Sequence, residues 1–187
     1  MKQRTLYGMV VAGGVLGIIA SFLQTLEKIN LLKYQNKALA CDLNSVFSCT
    51  NVLNAWQSAA FGFPNSLMCV ILFSIFASVA LVGLGGGSVP RGIRLGVQGL
   101  SLFALGFGLW FLWQSTFVIN ALCILCLFCF TGLLIVNWAW LRLNASDLPI
   151  GARGRAALKR GIASGADTFG WILLAVAIAT TMIVRFA

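Results

Sequence analysis

Charge along this chain falls in short clusters that leave uncharged stretches at 5–26, 43–90 and 95–141. An uncharged, apolar run of about 20 residues is long enough to cross a ~30 Å hydrocarbon core as a helix rising ~1.5 Å per residue. The first stretch predicts one span at about 6–26. In the second, Asn44 to Asn65 is polar and aromatic, and Gly62-Phe63-Pro64-Asn65 reads as a loop followed by a helix start, so the span is predicted at about 66–84. Gly85-Gly86-Gly87-Ser88 and Pro90 end it. The third stretch is too long for a single crossing and is predicted to fold as a hairpin, 95–113 and 117–140, broken at Gln114 to Asn120. A fifth span is predicted at about 168–184, after a basic loop at 141–167. The expected architecture is all-α and membrane-embedded, with five transmembrane helices: a four-helix bundle core within residues 1–140, plus a fifth helix within 168–187.

A chain that is 60% hydrophobic and 9% charged is neither a water-exposed globule nor disordered. The net charge of +9 lacks the basic stripe with interleaved aromatics that nucleic acid would need, so no nucleic-acid partner is expected. The charge reports topology instead. With the N-terminus in the cytoplasm, Lys2, Arg4, Arg91, Arg94, Arg142, Arg153, Arg155, Lys159 and Arg160 fall inside, against Lys28, Lys33, Lys37 and Arg185 outside. The first apolar core is too long for a signal peptide, and Ala38-Leu39-Ala40-Cys41 lies too far along to serve as a lipoprotein box. The outer loop, 27–65, and the turn at 114–120 are then extracytoplasmic. Leu26, Ile29, Leu31, Leu32 and Tyr34, with Glu27, Lys28, Lys33 and Lys37, read as an amphipathic piece lying on the interface, which Trp56, Phe61 and Phe63 also enter.

There is no His, so any chemistry falls to the six cysteines. Cys41 and Cys49 share the outer loop. Eight extended steps would cover ~26 Å, whereas a disulfide holds Cα atoms ~4.4–6.8 Å apart, so a bond requires a turn that Asn44-Ser45 could make. Such a bond could be a simple staple in an exported loop. Cys123-Ile124-Leu125-Cys126 opens the fourth span, where positions i and i+3 share a helix face and the free N–H groups favour a thiolate, a redox arrangement. Packing of two small apolar residues is the plainer alternative. Cys129 adds an overlapping Cys126-x-x-Cys129, but it lies about 13 Å into the bilayer at ~1.5 Å per residue, so Cys129, like Cys69, is expected to pack. Two dithiol pairs on one face form a relay, with a mobile loop pair exchanging with a soluble partner outside and a lipid-soluble quinone as the final acceptor. Cys-x7-Cys is too loose for structural zinc, so no metal is expected. A transporter or assembly factor with stapled cysteines is the competing class, but the spans hold no ionisable group between their ends.

Cys41-Asp42, Cys49, Phe61-Gly62-x-Pro64-Asn65-Ser66 and Cys123-x-x-Cys126, in this order relative to the spans, resemble the vitamin K epoxide reductase family in its bacterial disulfide-forming branch. The DsbB family does related chemistry with the order of the two pairs reversed. The resemblance covers most of residues 6–140. It implies a quinone-dependent thiol–disulfide oxidoreductase of the bacterial inner membrane with catalytic Cys41, Cys49, Cys123 and Cys126. Cys41 would exchange with the partner, Cys49 would pair transiently with Cys123, and Cys126 would face the quinone, menaquinone or ubiquinone. Asn65 matches the residue that hydrogen-bonds a quinone oxygen, and Phe61, Phe130 and Cys126 are the other implied quinone contacts. Phe130 stands where vertebrate members have Tyr, and Ala55 where Ser or Thr is usual. Nothing after Phe169 is long enough for a fused thioredoxin-like domain, so a separate exported DsbA-like protein is the implied partner.

Overall fold

The computed structural model describes residues 2–34 and 39–186. Lys37 of the outer charge count and Ala38 lie outside the described residues. About 80% of the chain is helical, with no strand among the described residues. Five helices are long and apolar enough to cross a membrane: α1, Gln3–Lys33; α3, Asn65–Leu84; α4, Arg91–Gln114, which continues in a π turn, Ser115–Ile119; α5, Ile124–Leu143; and α7, Ala166–Phe186. Two shorter helices complete the set: α2, Cys49–Asn54, in the long connection before α3, and α6, Gly151–Ser164, between α5 and α7.

Helix α1 packs against both α3 and α5, and α4 packs against α5. In lipid such contacts rest on close van der Waals fit, which favours small residues. A Cβ on Gly132 of α5 would lie 2.6 Å from the Gly13 carbonyl oxygen of α1, and one on Gly17 would strike the Phe73 ring of α3 at 2.5 Å. Val10, Phe76, Val136 and Trp140 fill the core between these helices. Helix α7 stands mostly exposed, with Met182 its only buried residue among those described. It is tied to α5 by Arg142, whose guanidinium donates to both Asp167 oxygens, Nε at 2.6 Å and Nη2 at 2.7 Å, and to Thr168 Oγ1 at 2.8 Å.

Several expected boundaries shift, each for a local reason. The expected interfacial piece after Leu26 is the last two turns of α1, because no Gly or Pro breaks the chain before Lys33. The fourth membrane helix was expected from 117 but begins at Ile124. Asn120 adopts a left-handed conformation at φ 55°, and the chain then runs through Ala121 to Cys123 outside any helix before α5 begins. The basic loop holds a helix, α6, with no buried residue. At that end of the molecule Arg94 pairs with Asp147 and Arg91 donates to the Asp147 carbonyl at 2.9 Å. All six cysteines lie toward the other end or in the adjoining core.

Candidate active site

The segment before α3 folds on itself around two side chains. Asn44 Oδ1 accepts from the backbone N–H of Val46 at 2.9 Å and of Phe47 at 2.8 Å, the turn that an Asn at this place makes well. The Asp42 carboxylate accepts from Leu39 N–H at 3.2 Å, Thr50 N–H at 3.0 Å and Thr50 Oγ1 at 2.5 Å. Burial alone would raise its pKa, but these donors, Thr50 foremost, hold the carboxyl below the usual value. Together the turn and the carboxylate bring the Cys41 and Cys49 Cα atoms to 5.7 Å, and the two are joined by a disulfide.

This segment is strapped to the one that precedes α5. Leu122 N–H donates to the Val46 carbonyl at 2.7 Å, and Ser48 N–H donates to the Leu122 carbonyl at 3.0 Å, a short parallel bridge. The residue after Ser48 is Cys49 and the residue after Leu122 is Cys123, and their sulfurs lie 3.3 Å apart. Both are sealed from solvent, Cys49 at 0% and Cys123 at 1% exposed. The loop pair is therefore not a loose tether. Leu31, Leu39, Val52, Leu53, Phe111 and Ala121 bury it, and Cys41 is only 7% exposed, although Ala40 and Leu43 beside it face outward.

Cys123 caps α5, so Cys126 sits in the first turn. The Cys126 side chain hydrogen-bonds to Cys123. Burial opposes a thiolate there, but with the backbone N–H groups of Cys126 and Leu125 that bond keeps the Cys123 pKa below the ordinary thiol value. Gln24 of α1 donates from Nε2 to the Cys126 sulfur at 3.1 Å.

Beyond Cys126 opens an apolar cavity of about 80 Å³ among α1, α3, α4 and α5. Leu72, Phe73, Phe107, Phe111 and Phe130 supply much of its wall, and Gln24, Ser58, Asn65 and Ser66 are its polar edge. Asn65 Nδ2 donates to the Gln57 carbonyl at 2.7 Å, while its buried Oδ1 has no hydrogen-bond partner. Of the residues that the family resemblance implies as quinone contacts, Asn65, Phe130 and Cys126 border this cavity. Phe61 does not: it is half-exposed and stacks on Phe107 at 5.2 Å, one ring removed from the space. Cys69 and Cys129, expected to pack, border it as well, and the Cys129 sulfur lies 3.7 Å from the Gly17 carbonyl.

The sequence model of the Vitamin K epoxide reductase family matches residues 9–141, a stretch that holds all six cysteines and every cavity residue named above. The chain belongs to this family. Membership and the five apolar helices make it a multi-pass membrane oxidoreductase. Among curated proteins none matches the chain.

Sequence reading missed three features: the Phe47–Leu122 bridge, Thr50 as the partner of Asp42, and Gln24. Only Gln24 carried a signal, as a strongly polar residue inside an otherwise apolar run. The bridge is made by main-chain atoms, which side-chain pattern does not encode.

Proposed function

We propose that the protein takes electrons from an exported thioredoxin-fold protein of the DsbA type and delivers them to a membrane quinone, so that disulfides form in exported proteins. The observation that carries this reading is the 3.3 Å contact between Cys49 and Cys123, which joins the loop disulfide, buried beneath the exposed Ala40 and Leu43, to a dithiol beside an apolar cavity. Exchange proceeds by attack of a thiolate on a disulfide sulfur. A partner thiolate attacks Cys41, and the Cys41–Cys49 bond breaks with its electron pair on Cys49. The Cys49 thiolate attacks Cys123 of an oxidised Cys123–Cys126 pair, and Cys126 leaves. The partner's second thiol displaces Cys41, which then reforms its bond with Cys49 and releases Cys123. Two electrons have moved inward, and the cysteines are left with the loop disulfide closed and the inner pair reduced, the pattern described above.

The cavity suits a quinone ring and the start of its isoprenoid tail. It is apolar, it is walled by aromatic rings, and an unpaired Asn65 oxygen stands at its edge. The second N–H of Asn65 Nδ2 would donate to a ring oxygen, its unpaired Oδ1 would accept from the hydroxyl of the reduced ring, and Phe130 would flank the ring without a hydrogen bond of its own. When bound, menaquinone or ubiquinone accepts two electrons and two protons. Cys126 is the sulfur of the inner pair that borders this space.

The nine-to-four excess of Lys and Arg supports a cytoplasmic N-terminus and an extracytoplasmic redox face, and the resemblance to the disulfide-forming branch of the family points to a bacterial inner membrane. The packing of α1, α3, α4 and α5 supports a four-helix redox core to which α7 is appended. The test is oxidation of a reduced thioredoxin-fold substrate by the purified protein with and without added quinone. Oxidation that is stoichiometric without quinone and catalytic with it supports the reading, and no dependence on quinone overturns it.

A further inference from the structure

Cys126 must carry negative charge each time it leaves Cys123, yet it does so in an apolar setting. A thiolate there needs a donor, because a buried anion without one is costly. The helix start of α5 supplies part of this, as the sulfur lies in the first turn. The remainder comes from a distant part of the chain. Gln24 is 7% exposed, stands on α1, and its amide nitrogen is 3.1 Å from the Cys126 sulfur, although 102 positions separate the two residues. Lys28, one turn further along α1, is directed elsewhere, donating to the Leu53 carbonyl at 2.5 Å.

We infer that Gln24 is a catalytic hydrogen-bond donor to the leaving sulfur of the inner pair. The inference rests on the relay proposed above. When the Cys49 thiolate attacks Cys123, the Cys49–Cys123 bond forms, the Cys123–Cys126 bond breaks, and the electron pair departs on Cys126, whose charge the Gln24 N–H faces. A donor fixed in place before the charge develops acts without reorganisation, as donors to an oxyanion do. Gln24 thereby favours the reduced form of the inner pair, and with it electron flow inward from the loop. The Gly13–Gly132 approach of α1 and α5 holds the donor at this distance.

The test uses the full chain in detergent with Gln24→Leu, and with Gln24→Met as an unbranched alternative should Leu disturb folding. Equilibration in glutathione buffers reads each cysteine pair, and N-ethylmaleimide labelling followed by mass spectrometry reads Cys126 alone. Loss of the donor should shift the Cys123–Cys126 equilibrium about tenfold toward disulfide and leave Cys41–Cys49 where it was. Labelling at Cys126 should fall about tenfold at neutral pH and recover as pH is raised. An unchanged inner pair, or an equal shift in both pairs, overturns the inference. None of these readouts requires quinone. If the unsubstituted protein fails to reduce quinone while the variant still shows the selective shift, the proposed function falls and the role of Gln24 stands.

Discussion

At the scale of single residues, Asp42 and Asn65 carry the sharpest expectations. Asp42 holds the turn between the loop cysteines only while it is charged, and its pKa lies below the unfolded value. Its contribution is therefore complete above the ordinary carboxylate range near ~3.9 and is lost as pH falls through the lower folded value. Measured relative to an unstructured disulfide peptide under the same conditions, reduction of Cys41–Cys49 by a phosphine should be slow and flat from neutrality to about pH 4, and then quicken below it. Asp42→Asn should make it several-fold faster throughout. Asn65→Ala removes the polar contact proposed at the ring. By analogy with a single oxyanion donor, worth ~2.7–4 kcal/mol, quinone reduction should slow about a hundredfold or more, while thiol exchange at the loop continues at its normal rate. Asn65 is legible in the sequence through the family resemblance carried by the motif that opens α3, whereas the role of Asp42 is not, since the sequence points to Asn44-Ser45 alone for the turn. Nor is Thr50, because nothing in its sequence neighbourhood marks it as the partner of Asp42.

At the scale of elements, the five long helices were readable from the gaps between charges, since lipid demands that backbone groups be satisfied within each span. Their ends were less readable wherever tertiary contact decides them. Phe117 has the composition of a helix start, yet Asn120 and the strap to Val46 hold α5 back to Ile124. The α1–α5 contact makes a clear prediction. Gly132→Ala places a methyl 2.6 Å from a backbone oxygen that cannot yield, and should cost ~1–3 kcal/mol, seen as a lower unfolding midpoint in detergent. Gly99→Ala on α4, where a Cβ meets open space, should leave the midpoint unchanged or raise it slightly. The same widening at Gly132 should weaken the Gln24 contact to Cys126, so that loss of stability and a change in the inner pair appear together.

At the scale of the whole molecule, nine of the thirteen Lys and Arg fall at the end away from the cysteine loop. A reporter active only outside the cytoplasm should be active when fused near Ser115 and silent at Gly87 or Gly154, and the reverse pattern would place the cysteines in a reducing compartment. The cavity wall has a bioenergetic consequence. Among the described residues that form it there is no carboxylate, amine, guanidinium or imidazole, only thiols, a thioether, amides, hydroxyls and hydrocarbon. In the proposed reaction, with no such acid or base in the cavity wall, the protons that accompany the electrons would enter from the side on which the dithiols are oxidised. The reaction then moves no net charge through the membrane field. A single charge carried across would couple turnover to the potential by ~2.3 kcal/mol per 100 mV. In sealed vesicles the rate of quinone reduction should therefore be indifferent to an imposed voltage: oxidative folding on this scaffold would neither draw on the proton-motive force nor add to it.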